Sequence, residues 1–213
     1  MIISKKALSE LVSFEVTSQA FYERKYQGIV VPPGDSGGTI GIGYDLGQVT
    51  PDNIQRHWRA ELPQTMINIL KMFSGLKGDK ARKALLVNQV AKEVKIPFQS
   101  AINVFAKISL PDYARRALVI YQGLDKLTPD AAGAIVSLVY NRGTLMEGER
   151  RKEMKAIVPL VKAQDYNGIA DQILAMKRLW GNDATGLLIR RDREAALVKG
   201  SNRTYSNDEL IEI

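Results

Sequence analysis

Six of the chain's 17 glycines (Gly34, Gly37, Gly38, Gly41, Gly43 and Gly47) crowd between residues 34 and 47, and no other feature restricts the fold as much. Glycine is a weak helix former that takes positive φ without steric cost, so this stretch turns instead of continuing a helix. It does not fit a phosphate cradle. After Gly41-x-Gly43, Leu46 stands where G-x-G-x-x-G needs its third glycine, and Gly38 to Gly43 leads into Tyr44-Asp45 instead of Lys-Ser/Thr. A hairpin fits better, with Gly41-Ile42-Gly43 as its turn. Ile40 then faces Tyr44 and Thr39 faces Asp45, with Cβ atoms roughly 5 Å apart; a straight strand would hold Thr39 and Asp45 about 20 Å apart. A hydroxyl beside a carboxylate can jointly hold one water molecule. The same pair can also be a plain solvated one on a structural hairpin.

Most of the remaining chain reads as helix. Residues 4 to about 26 form one, with Leu8, Leu11, Val12 and Val16 at helical spacing and Ser4 as N-cap. Thr50-Pro51-Asp52 and Thr128-Pro129-Asp130 are N-cap-then-Pro starts. The second opens an apolar helix through Ala132, Ile135, Val136 and Val139 that stops near Asn141-Arg142-Gly143. Further helices fit 149–163, 166–179 and 187–199, and the polar tail after Gly200 is expected to be loose. The expected fold class is α+β and mostly helical, in one domain spanning 1–213. Within it, residues 1–60 carry the first helix and the hairpin, residues 61–200 a helical part, and residues 201–213 the tail.

What the chain lacks bounds its chemistry. With no Cys and only His57, disulfides, thiolate sites, Cys nucleophiles and metal sites built on several histidines drop out. No apolar run approaches the roughly 18 residues needed to span a bilayer. The opening Met1-Ile2-Ile3-Ser4-Lys5-Lys6 does not read as a signal peptide. Thirty Lys and Arg against 23 Asp and Glu give a net charge of +7, which suits a polyanionic partner: nucleic acid, an anionic membrane surface or a bacterial envelope. Acid–base chemistry must run on carboxylates, Lys, Tyr or His57.

Glu15 stands out among the carboxylates. Seven residues after Leu8, it lies about 20° from it around the helix axis, inside the apolar stripe. Apolar surroundings favour a protonated carboxyl, as a general acid requires; alternatively Glu15 is a buried glutamate satisfied by an arginine, or it sits at the stripe's edge facing solvent. A semi-buried Glu followed by a Thr/Asp pair is the parts list of glycoside hydrolysis, in which one carboxyl protonates the leaving oxygen and another handles water.

The helix bearing Glu15 followed by G-G-T-I-G-I-G-Y-D-L-G resembles the phage-type lysozymes, the glycoside hydrolase family 24-like muramidases. Leu127-Thr128-Pro129-Asp130 through Asn141-Arg142-Gly143 is similar to that family's L-T…A-L-V-S-F-x-F-N-x-G helix, and Gly186-Leu187-Leu188-Ile189-Arg190-Arg191-Asp192-Arg193-Glu194 to its G-L-x-x-R-R-x-x-E helix. The resemblance implies a catalytic Glu at Glu15 and a catalytic Thr at Thr39. In the phage enzymes the second carboxylate precedes the Thr by six residues, where this chain has Pro33; the pesticin-like arrangement places it after, where Asp45 stands. Asp35, on the loop before Thr39, is the competitor.

The implied protein is a monomeric peptidoglycan muramidase with no metal or cofactor. The resemblance implies two lobes, with Glu15 and the hairpin on one, the C-terminal helices on the other and a glycan strand in the cleft between. A phage endolysin or an antibacterial toxin, made in the cytoplasm and acting on the periplasmic wall, fits that reading. A lytic transglycosylase using Glu15 alone and a basic nucleic-acid-binding protein are the rivals, although no nucleic-acid motif is present. His57 reads as a packing or surface residue, Trp58 and Trp180 as core or sugar-stacking rings, and 149–153 as a solvated helix face. Of the adjacent Arg190 and Arg191, one is expected to pair with Glu194. Tyr44 and Tyr140 are candidates for lining a groove.

Overall fold

The computed structural model describes residues 1–213, residue 182 by its backbone only. Along the chain come β1 (Ile2–Ser4), α1 (Lys5–Val16), α2 (Gln19–Lys25), β2 (Thr39–Ile40), β3 (Tyr44–Asp45), α3 (Pro51–Trp58), α4 (Gln64–Lys71), α5 (Gly78–Val87), α6 (Gln89–Lys92), α7 (Phe98–Val104), α8 (Leu110–Ile120), α9 (Pro129–Arg142), α10 (Lys152–Ala163), α11 (Tyr166–Ala175), α12 (Thr185–Lys199) and β4 (Leu210–Glu212). The fold is mostly helical with two small antiparallel sheets, β1–β4 and β2–β3. Two compact units form: Met1–Phe14 with Leu110–Ile213, and Glu15–Ser109. The division is not at residue 60. Residues 61–109 belong with the hairpin, and the first 14 residues belong with the C-terminal helices.

In the first unit α9 is the central helix, buried from Asp130 to Val139 and flanked by β1, α8 and α12. Gly133 sits so close to Ala7 that a Cβ on it would stand 2.3 Å from the Ala7 Cβ. Across the α9–α12 contact runs a buried polar cluster. Glu194 takes Arg190 Nε at 3.1 Å and Arg191 Nη2 at 2.9 Å, and accepts from Ser137 Oγ at 2.6 Å. Both arginines therefore meet Glu194, because i,i+3 and i,i+4 neighbours share a helix face with it.

Three local expectations need correction. The single helix over 4–26 is two: Thr17 takes φ +64°, and Ser18 starts α2 by accepting from Phe21 N–H. Ser4 does cap α1, accepting from Ala7 N–H at 2.9 Å. The tail is not loose throughout, since Leu210–Glu212 pairs with β1 and Ile213 N–H donates to Met1 O. The 149–153 stretch is not a wholly solvated face either. Glu153 falls on the same stripe as Ile157 and Val161, is buried with them, and accepts from Arg178.

The second unit packs α3 on α4 and gathers Ile40, Leu46, Ile54, Trp58, Ile67, Leu70 and Phe73 into its core. Thr50 caps α3 by accepting from Asn53 N–H, with Pro51 at the first helical position, as the N-cap-then-Pro reading requires.

Candidate functional site

The β2–β3 hairpin has the register the glycines predict: Thr39 opposite Asp45, and Ile40 opposite Tyr44. Gly41 and Gly43 take φ of +58° and +70°, which a side chain would oppose. Gly41 also packs against Trp58 and Ala101, so the turn is seated on the core. The backbone N–H and C=O of Thr39 are both used by Val30, at 2.7 and 2.9 Å. Thr39 and Asp45 are therefore a non-hydrogen-bonded pair, the kind whose side chains approach most closely. Both side chains are half-buried.

A second set of glycines aims the Asp45 carboxylate. Its oxygens accept from Gly47 N–H at 2.8 Å and from Gly37 N–H at 3.4 Å, the first of these capping a short 3-10 turn over Leu46–Gln48. A Cβ on Gly37 would lie 2.2 Å from Asp45 Oδ1, and one on Gly47 would lie 2.6 Å from the Leu76 carbonyl oxygen. The glycine spacing in the sequence thus serves two jobs: turning the strand, and letting backbone amides reach one carboxylate.

Glu15 lies half-buried in the last turn of α1, with Leu11, Val12 and Val16 of the same helix buried. Helices favour acidic side chains in the first turn and not the last, so the dipole does not account for a carboxylate here. Glu15, Thr39 and Asp45 all belong to the Glu15–Ser109 unit. Exposed Asp35 sits elsewhere, with its Oδ1 beside Gly78 at the start of α5, and is not the residue paired with Thr39.

His57 is a packing residue, as the sequence allows, set edge-on against Tyr44 of the hairpin. Its Nδ1 is 2.8 Å from Tyr44 Oη, and Tyr44 lies edge-on to fully buried Trp58, so Trp58 is a core ring. Burial pushes the Tyr44 phenol up and, with nearby Arg56 adding, pushes His57 down. A protonated phenol and a neutral imidazole thus share this hydrogen bond, the ring tautomer deciding which of the two donates. The signal was present in the periodicity: His57 follows Ile54 by three residues and turns to the same side of α3. Tyr140 packs against Tyr113 with ring centroids 4.5 Å apart and planes tilted by 56°, and Trp180 lies under the guanidinium groups of Arg142 and Arg191, all in the first unit.

Residues 12–193 match the family model described as Domain of unknown function (DUF8812). A search of curated proteins finds no match.

Proposed function

We propose that this chain, which belongs to the DUF8812 family, is a peptidoglycan muramidase that hydrolyses the β-1,4 bond between N-acetylmuramic acid and N-acetylglucosamine. The observation that carries the reading is the close Thr39–Asp45 pair, with the carboxylate held by Gly37 and Gly47 N–H groups. A fixed carboxylate next to a hydroxyl suits the orientation and deprotonation of one water molecule. In this reading Glu15 protonates the glycosidic oxygen while that water attacks the anomeric carbon, its proton passing to Asp45. The outcome is inversion, as the phage-lysozyme resemblance implies. The lysozyme-like two-lobed fold is part of the same proposal. So is a bacteriolytic role outside the cytoplasm, as a monomeric endolysin or delivered toxin. The net charge of +7 favours an anionic wall as substrate. The placement of the loop residue Asp35 with its carboxylate beside Gly78 supports Asp45 as the second carboxylate.

The deciding experiment is digestion of purified, lipid-free peptidoglycan with mass spectrometry of the fragments, comparing wild type, Glu15→Gln, Asp45→Asn and Asp35→Asn. The expected products have reducing N-acetylmuramic acid ends. Glu15→Gln and Asp45→Asn should lose at least about 100-fold in rate, and Asp35→Asn should stay close to wild type. Full activity in Glu15→Gln would end the proposal. The two backbone bonds to Asp45 also favour a second reading, in which that carboxylate only shapes the hairpin and Glu15 works alone as a lytic transglycosylase. Its signature is 1,6-anhydro ends, so product chemistry separates the two even where Asp45→Asn disturbs folding.

A further inference from the structure

The Glu15–Ser109 unit carries a basic and apolar surface outside the Glu15, Thr39 and Asp45 set. Residues 71–95 hold seven Lys and Arg against two acidic residues, a net +5 of the chain's +7. Amid these charges, Leu86 is 70% exposed, Val87 69%, Met72 60% and Val90 56%. The pattern inverts that of a core-facing helix. α5 buries Gly78 and Ala81 and leaves its larger aliphatic residues Leu86 and Val87 in water. Lys80, Lys83 and Val87 follow one helix face at i, i+3 and i+7, with Leu86 three residues after Lys83. The arrangement is held in place. The Asn88 side chain accepts from Ala91 N–H at 3.0 Å and its Nδ2 lies 3.7 Å from Met72 Sδ, tying the α5–α6 turn to the end of α4.

We propose that this face docks the protein on an anionic lipid bilayer. Leu86, Val87, Val90 and Met72 enter the boundary between headgroups and acyl chains, and the surrounding lysines meet lipid phosphates. The charge selects this occupant. A second copy of the chain would set one +5 face against another and be repelled. A nucleic acid would engage the lysines but leave the aliphatic side chains in water. It would also find no ring to stack on, because Phe73 is the only aromatic residue in 71–95 and is buried. A bilayer with acidic headgroups uses both parts of the surface. Attachment is peripheral, since among the described residues no helix is long and apolar enough to cross a membrane.

The test is flotation of the full chain with phosphatidylglycerol-containing vesicles and with pure phosphatidylcholine vesicles, at low salt and at high salt. Binding to the anionic vesicles should exceed binding to the neutral ones by at least about tenfold and weaken as salt rises. Leu86→Ser with Val87→Ser should reduce it about tenfold, and Lys80→Glu with Lys83→Glu should do the same. All four side chains are exposed, so circular dichroism and hydrolysis of lipid-free peptidoglycan should be unchanged. In V87W, tryptophan emission should shift to the blue on anionic vesicles. Absence of binding, equal binding to both vesicle types, or loss in the lysine variants alone would overturn the proposal. None of these outcomes bears on the glycosidase reading, whose assay contains no lipid.

Discussion

The Tyr44–His57 contact ties the hairpin to α3 through one hydrogen bond to a titratable ring. Burial, and then Arg56, hold the His57 pKa below its ordinary value of about 6.5. The unfolded chain therefore takes up this proton more readily than the folded one as the solution is acidified. By linkage, the contribution is fully present above about pH 6.5 and is lost as pH falls through the lower folded value. Urea unfolding at a series of pH values should show wild type losing stability relative to His57→Gln between about pH 7 and pH 5. Parallel curves for the two proteins over that range would remove His57 from the account. Arg56→Gln should also flatten the wild-type slope, because it removes the neighbouring charge that adds to burial in disfavouring the imidazolium.

At the scale of elements, the α9–α12 contact is fixed by a charge cluster that no single helix explains. Glu194 is fully buried, with Arg190 and Arg191 on its own helix and Ser137 on α9. Arg190 Nη2 also donates to the Ser137 carbonyl oxygen at 3.1 Å, and Arg191 Nη2 to Asn141 Oδ1 at 3.2 Å. Neutralising one member of such a cluster leaves desolvated charge behind, which costs about 3–5 kcal/mol. Glu194→Gln should therefore lower unfolding free energy by that amount in denaturant titration, despite its near-identical volume. A loss below about 1 kcal/mol would mean that water reaches the cluster. The G-L-x-x-R-R-x-x-E stretch made these residues conspicuous, but sequence spacing pointed to one pair. The partners on α9 lie 50 to 57 positions away and leave no local trace.

Legibility followed the range of the determining interaction. The hairpin register was readable because glycines at 41 and 43 fix the turn, and the turn fixes which residues oppose one another. The α3 start was readable because Thr50 and Pro51 act within one helical turn. The amide latch on Asp45 was not, since glycine spacing shows where backbones can approach but not what they approach. The break at Thr17 was also missed: a β-branched residue at positive φ runs against its own preference and is imposed by the surrounding fold. β1 and β4 were missed for the plainest reason, that each three-residue strand has its partner at the other end of the chain.

That last pairing sets a prediction for the whole molecule. A polar tail beyond Gly200 reads as dispensable, and in a chain whose ends were free its removal would change little. Here both termini are engaged: the Met1 amino group donates to Ile213 O at 2.8 Å, and Ile213 N–H donates back to Met1 O. Along the same tail, Arg203 Nε lies 3.5 Å from Oδ2 of Asp130, which is fully buried at the head of α9, and Arg203 also meets Glu209 at 2.7 Å. The tail thus supplies a partner strand for β1 and a counter-charge for the central helix. Truncation after Ser201 should lower the unfolding free energy by at least about 3 kcal/mol, because it strands a buried carboxylate as well as an edge strand. Arg203→Ala should reproduce a substantial part of that loss. Asp130→Asn should recover part of it in the Arg203→Ala background, since the stranded charge is then gone. A truncated chain that unfolds at the wild-type denaturant midpoint would show that the tail contributes no net stability, whatever its contacts.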